Sequence, residues 1–231
     1  MSASADARVV VVTGGASGLG DAVVACLRER GDTPVVLDVR PPRDGVEHVA
    51  VDLADGRAAE EAVRRVAGER GALHGVVCAA GIDACGPLDG VAADDWERVI
   101  AVNLVGTAAV VRAALPYLER VSGRVVMVAS TLGLRAVGDA TAYCASKFGV
   151  VGFTRALAAE TAGRVGVTLL VPGGMRTAFF DGREERYRPS DDADLNDPAH
   201  VADAVVFALA QPEGCEVREL LIAPAREGSW P

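Results

Sequence analysis

The stretch "RVVVVTGGASGLG", residues 8–20, decides the fold. Val9 to Val12 make an apolar run with no polar alternation, as expected of a strand buried on both faces. The run passes straight into Thr13, Gly14, Gly15, Ala16, Ser17, Gly18, Leu19 and Gly20, and a helix-like pattern follows. Glycine permits a tight turn and lets backbone N–H groups come close to a phosphate. The helix start adds its dipole and its free donors. A glycine pattern alone is a weak signal; placed between a strand and a helix it is a stronger one. The bland alternative is an ordinary strand-to-helix turn.

The same rhythm continues along the chain. Further Val-rich runs are "PVVLD" at 34–38, "HVAVD" at 48–52, "HGVVCAA" at 74–80, "GRVVMVAS" at 123–130, "VGVTLLVP" at 165–172 and "VRELLIAP" at 217–224. Helical patterns fill the gaps at about 19–30, 57–70, 94–118, 141–162 and 198–210. Asp94, Asp95 and Glu97 favour one helix start, and Asp197-Pro198 reads as an N-cap with proline at the first helical position. Strand–helix alternation implies parallel strands joined by right-handed crossovers. The expectation is an α/β protein with a doubly wound parallel sheet of about seven strands, helices on both faces, and a single domain over 1–231. The one irregular stretch, 178–197, is "AFFDGREERYRPSDDADLND". It reads either as a loop over a site or as a solvated surface loop.

Composition narrows the classes of function. A net charge of −9 argues against a nucleic-acid surface or an anionic membrane as partner. The N-terminus "MSASADAR" lacks the basic start and apolar core of a signal peptide, and no apolar run approaches a membrane span in length. Five cysteines show neither C-x-x-C pairing nor metal-ligand spacing, so no metal is expected. They read as buried small hydrophobes in a reducing compartment, which makes the cytoplasm the default location.

Asp38 ends the second run, about twenty residues beyond the glycine turn. A carboxylate there accepts hydrogen bonds from the ribose hydroxyls of an adenine dinucleotide and repels a 2′-phosphate. Val39 and Ser17 supply no compensating charge, so the balance favours NAD over NADP. Arg40 either stacks on adenine or faces solvent. Asp52, at the end of the third run, either meets the adenine edge or caps the next turn.

"TAYCASKFGV", residues 141–150, places Tyr143 four residues before Lys147. On a helix the two share a face, one turn apart. A free phenol has a pKa near 10, and a close ammonium lowers it, so such a tyrosine can exchange a proton with an alcohol or carbonyl oxygen. Ser130 ends the fifth run, at the sheet edge where ligands bind in such folds, and its hydroxyl can hold a substrate oxygen. Asn103, polar within an apolar helical stretch, either joins this chemistry or is a satisfied core amide bridging two backbone groups.

With "TGGASGLG", "VNLVG", "VASTLG", "YCASK" and "PGGMRT" quoted together, the chain resembles the short-chain dehydrogenase/reductase family over roughly 8–224. The resemblance implies a Rossmann-like fold and a catalytic set of Asn103, Ser130, Tyr143 and Lys147, with the lysine also on the nicotinamide ribose and the asparagine holding a relay water. It implies that the cofactor lies along Gly14, Ser17, Gly18, Leu19 and Gly20, then Asp38, Asp52 and Leu53. From there it passes Ala79, Ala80 and Gly81 to Tyr143, Lys147, Pro172, Gly173, Met175 and Thr177, with Thr177 near the carboxamide. The chain departs from the family at Cys78-Ala79, where asparagine is usual and braces the central sheet. The expected activity interconverts a secondary alcohol and a ketone, with a small carbonyl or alcohol substrate and a homodimer or homotetramer. A nucleotide-sensing regulator without turnover is the competing class. Thr131, Leu132, Leu134, Cys85, Phe179 and Phe180 are candidate substrate-pocket residues.

Overall fold

The structure, a computed structural model, describes residues 7–43, 45–190 and 192–228. Residues 1–6, read above for a leader, lie outside the described residues, as does Asp191 of the 178–197 stretch. Seven strands form one parallel sheet: β1 (Val9–Thr13), β2 (Thr33–Asp38), β3 (Glu47–Ala50), β4 (Gly75–Cys78), β5 (Arg124–Val128), β6 (Gly166–Pro172) and β7 (Glu219–Ile222). Their order is β3-β2-β1-β4-β5-β6-β7, and every pairing is parallel. The order reverses between β1 and β4, the switch point at which such sheets open a crevice.

The valine runs explain why the sheet is buried on both faces. Val9 and Val11 point into one core with Val35, Val76 and Val125. Val10 and Val12 point into the other with Val36, Val77 and Val126. The first core is covered by α2 (Gly56–Arg70), α4 (Thr107–Leu118) and α5 (Thr141–Glu160), the second by α1 (Gly18–Glu29) and α6 (Pro198–Leu209). Asp55 caps α2 by accepting from the backbone N–H groups of Arg57 and Ala58, and Asp197 caps α6 through Ala199, with Pro198 behind it.

Three expectations need correction. The helix read over 94–118 is α3 (Ala93–Ile100), a π-helical stretch over Ala101–Gly106, and α4. The extra residue per turn falls around Asn103, and such π insertions concentrate at functional sites. The continuous helical run Ala93–Val121 is also long and apolar enough, by length and composition, to cross a membrane, contrary to the reading above. Its most apolar window is 56% buried inside the fold, which accounts for that apolarity. Finally, only Cys78 and Cys144 are buried; Cys26 and Cys85 are half-buried and Cys215 is exposed.

Candidate active site

A cleft of about 1180 Å³ runs along the carboxyl edge of the sheet. At one end lies the turn between β1 and α1. Gly14 there has φ +68°, a left-handed conformation that favours glycine. Gly20 has no such φ, but a Cβ on it would lie 2.2 Å from the carbonyl oxygen of Gly14. Glycine at 20 therefore lets α1 close onto the turn. Of the residues implied to hold a cofactor, all line this cleft except Gly20, which shapes it from behind.

Asp38 stands at the end of β2. Its carboxylate accepts from the backbone N–H of Ala16 at 3.1 Å and of Arg40 at 3.0 Å. The second bond turns the chain back over the glycine loop, and Arg40 Nη2 then donates to Ser17 Oγ at 3.1 Å. Arg40 is exposed, and its guanidinium reaches Ser17 of the glycine turn. Asp52 accepts from Ala54 N at 2.9 Å and from Arg98 at 2.8 Å, so it caps its own turn while lining the cleft. The Ala54 bond first, then Arg98, holds its carboxyl below the usual range. Thr13 Oγ1 accepts from Ala80 N at 3.2 Å, which ties β1 to the loop after β4.

These features fit an adenine dinucleotide. The turn is shaped by two glycines, Asp38 faces the cleft at the strand end, and Gly81 leaves room where a Cβ would come within 3.5 Å of Lys147 Nζ.

At the other end, Ser130 follows β5 and opens a short 3-10 turn, Thr131–Gly133, with its Oγ accepting from Leu132 N at 3.1 Å. The turn nests against α5; a Cβ on Gly133 would lie 2.8 Å from the carbonyl oxygen of Lys147. That packing brings Ser130 into hydrogen-bond contact with Tyr143. Tyr143 and Lys147 share one face of α5, with the ammonium 5.5 Å from the phenol ring centroid. Lys147 is the only lysine in the chain and is buried at 4% exposure. Its Nζ donates to Val128 O at 2.9 Å.

The electrostatics differ from the simple expectation of a lowered phenol pKa. Burial pushes Tyr143 up to about 12, opposed by the hydrogen bond with Ser130, and pushes Lys147 down to about 8. Burial is the largest cause of both shifts.

Asn103 joins the loop after β4 to α5. Its Oδ1 accepts from Ile82 N at 2.8 Å, and its Nδ2 donates to Ile82 O at 2.9 Å and to Ser146 Oγ at 3.0 Å. The side chain is 1% exposed and fastens the loop after β4 to α5, behind the cleft wall. Thr131, Leu132, Cys85, Phe179 and Phe180 line the cleft; Leu134 packs into the core instead. The 178–197 stretch forms two 3-10 turns, Ala178–Phe180 and Glu185–Tyr187, along the Tyr143 end of the cleft. Asp83 and Arg183, absent from the sequence reading, also line it. Only the charge of the 178–197 stretch hinted at Arg183.

A family model described as short chain dehydrogenase matches residues 8–188. An uncharacterized oxidoreductase of Staphylococcus aureus strain MW2 is 34% identical over 230 residues, covering 94% of this chain and 97% of that one. Among solved structures, the ligand-free aldohexose dehydrogenase of Thermoplasma acidophilum superposes with a TM-score of 0.85 at 24% identity, over 94% of this chain and 92% of that one. An alcohol dehydrogenase of Thermococcus sibiricus, complexed with 5-hydroxy-NADP, does so with 0.82 at 23% identity, over 94% and 96%. These two likenesses show the fold.

Proposed function

Since the chain belongs to the short-chain dehydrogenase/reductase family of oxidoreductases, we propose that it interconverts a secondary alcohol and a ketone with NAD(H), and that Tyr143 moves the proton. One observation carries this reading: Ser130, Tyr143 and Lys147 converge in the same cleft as the glycine turn. Residues 1–231 act as one dinucleotide-binding unit in this proposal, with 178–197 as its substrate loop.

A bound nicotinamide supplies or accepts the hydride. The protein's own groups handle the oxygen and the proton. Ser130 holds the substrate oxygen against the phenol. Tyr143 gives its proton to that oxygen in reduction and takes one in oxidation. With burial holding the phenol protonated at neutral pH, the resting form is the one that reduction needs. Lys147 places a charge beside the phenol and would hold the nicotinamide ribose. Asn103 acts as a positioning residue that fixes the β4 loop against α5.

NADP is a second reading, favoured by the Arg40–Ser17 contact, which brings a guanidinium to the glycine turn, where it could bind a 2′-phosphate. Asp38 opposes it, because two anions share a desolvated site only at high cost. The test is turnover of NAD and NADP across a panel of secondary alcohols, in wild type and in Asp38→Ala. We expect wild type to favour NAD in kcat/KM and the variant to lose that preference. A wild type preferring NADP would show that Arg40 governs the site. Cofactor binding without turnover of any alcohol or ketone would favour the sensor class.

A further inference from the structure

The substrate end of the cleft holds an ion pair in an otherwise aromatic wall. Arg183 Nη2 lies 3.0 Å from Asp83 Oδ2, and the two side chains are 15% and 6% exposed. Arg183 comes from the stretch after β6 and Asp83 from the loop after β4. The guanidinium carbon sits 4.6 Å from the ring centroid of Phe179 and 4.8 Å from that of Phe180. Phe179 in turn lies 5.6 Å from the ring of Tyr143. The pair is therefore one aromatic ring away from the phenol, and both charges are felt there.

Stability does not account for this pair. Taking two charges out of water costs several kcal/mol per ion, and an apolar replacement of similar volume is often as stable. Nor is the pair saturated. Nη2 is buried and, among the described residues, has no aligned hydrogen-bond partner, so its contact with Asp83 is one of charge alone. Among the described residues, Asp83 Oδ1 accepts from Ala84 N alone, at 2.7 Å, while Oδ2 takes the Cys85 thiol at 3.2 Å. A carboxylate oxygen has two acceptor sites. Both residues line the cleft, so its wall carries a guanidinium and a carboxylate side by side, with an acceptor site on Asp83 left over.

We infer that Asp83 and Arg183 are specificity-determining residues that select neutral substrates carrying a second oxygen, a hydroxyl, near the reacting carbon. A hydroxyl is the group that both donates to Asp83 and accepts from Arg183. A hydrocarbon chain leaves both charges unpaired. A substrate carboxylate meets the anion of Asp83 at the same guanidinium. The inference rests on the alcohol–ketone reading for the place of the reacting carbon.

Binding to the NADH-loaded protein tests it without turnover, because an alcohol has no hydride acceptor there. The probes are matched pairs: 2-butanol against 2,3-butanediol, and cyclohexanol against 1,2-cyclohexanediol, measured by titration calorimetry. A site built to bond a substrate hydroxyl discriminates strongly against the analogue lacking it, so the diol of at least one pair binds at least about tenfold tighter. Arg183→Met and Asp83→Asn each erase that ratio. Equal affinities within both pairs in wild type, failure of both diols to bind, or a ratio retained in either variant overturns the inference. The wild-type comparison stands even where a variant does not fold. Diol selectivity in binding with no turnover under NAD would count against the alcohol–ketone reading alone.

Discussion

Lys147 sits 4% exposed, with its ammonium on a backbone carbonyl and its pKa brought by burial from 10.5 to about 8. That difference corresponds to about 3 kcal/mol against the charged form. Below pH 8 the folded and unfolded chains both carry the proton, and the penalty is fully present. Between about 8 and 10.5 the unfolded chain keeps the proton that the folded chain has released, so this group makes stability rise with pH across that window. We expect the difference in unfolding free energy between wild type and Lys147→Met to grow in favour of wild type from pH 7.5 to 10.5, by urea denaturation. A difference that is flat with pH would show that the amine titrates as it does in water. Since no other lysine exists, a single side-chain amine resonance reports the same titration.

Glycine sets how closely the elements approach. A Cβ at Gly20 would meet a backbone oxygen, which has no flexible end to move away. Gly20→Ala should therefore cost about 1–3 kcal/mol, as overpacking does, and weaken cofactor binding with it. Gly68 of α2 is exposed and has nothing within 4 Å of its Cβ position. Gly68→Ala should gain roughly 0.5–1 kcal/mol, the cost of glycine within a helix. Chemical denaturation of the two variants decides it; equal effects would contradict the close approach at Gly20. Sequence revealed β1, the glycine turn and α1 because their signals are contiguous. It placed the third strand at 48–52, whereas β3 spans Glu47–Ala50: this edge strand pairs only with β2, and Val51-Asp52 already leave it. It could not show the π stretch at Ala101–Gly106, because a helix apolar on most sides carries no phase in which an extra residue would register. Tyr143 and Lys147 were legible through their spacing. Asp83 and Arg183 were not, because no motif links them and only the fold joins the two loops.

The molecule as a whole leaves apolar surface that the fold does not cover. Val105 is 52% exposed on the π stretch and Phe148 44% on α5, and the two segments pack together where a Cβ on Gly149 would meet Leu104. Phe207 on α6 and Leu221 on β7 are also exposed, at 55% and 41%. We expect a homodimer or homotetramer through these faces, with Phe148→Asp shifting the population toward smaller species in sedimentation at micromolar concentration. A monomeric wild type would sink this expectation. The fold also carries Ser130 and Tyr143 into one cleft with a turn more than a hundred residues earlier in the chain, and the account stands on what that convergence does. The most direct measurement is the steady-state rate of Tyr143→Phe beside wild type, on any alcohol that wild type oxidises. Phe keeps the ring and its contact with Phe179 but has no proton to exchange. The account predicts an unchanged unfolding midpoint and a turnover lower by roughly 10²–10⁴. A rate equal to that of wild type would contradict it.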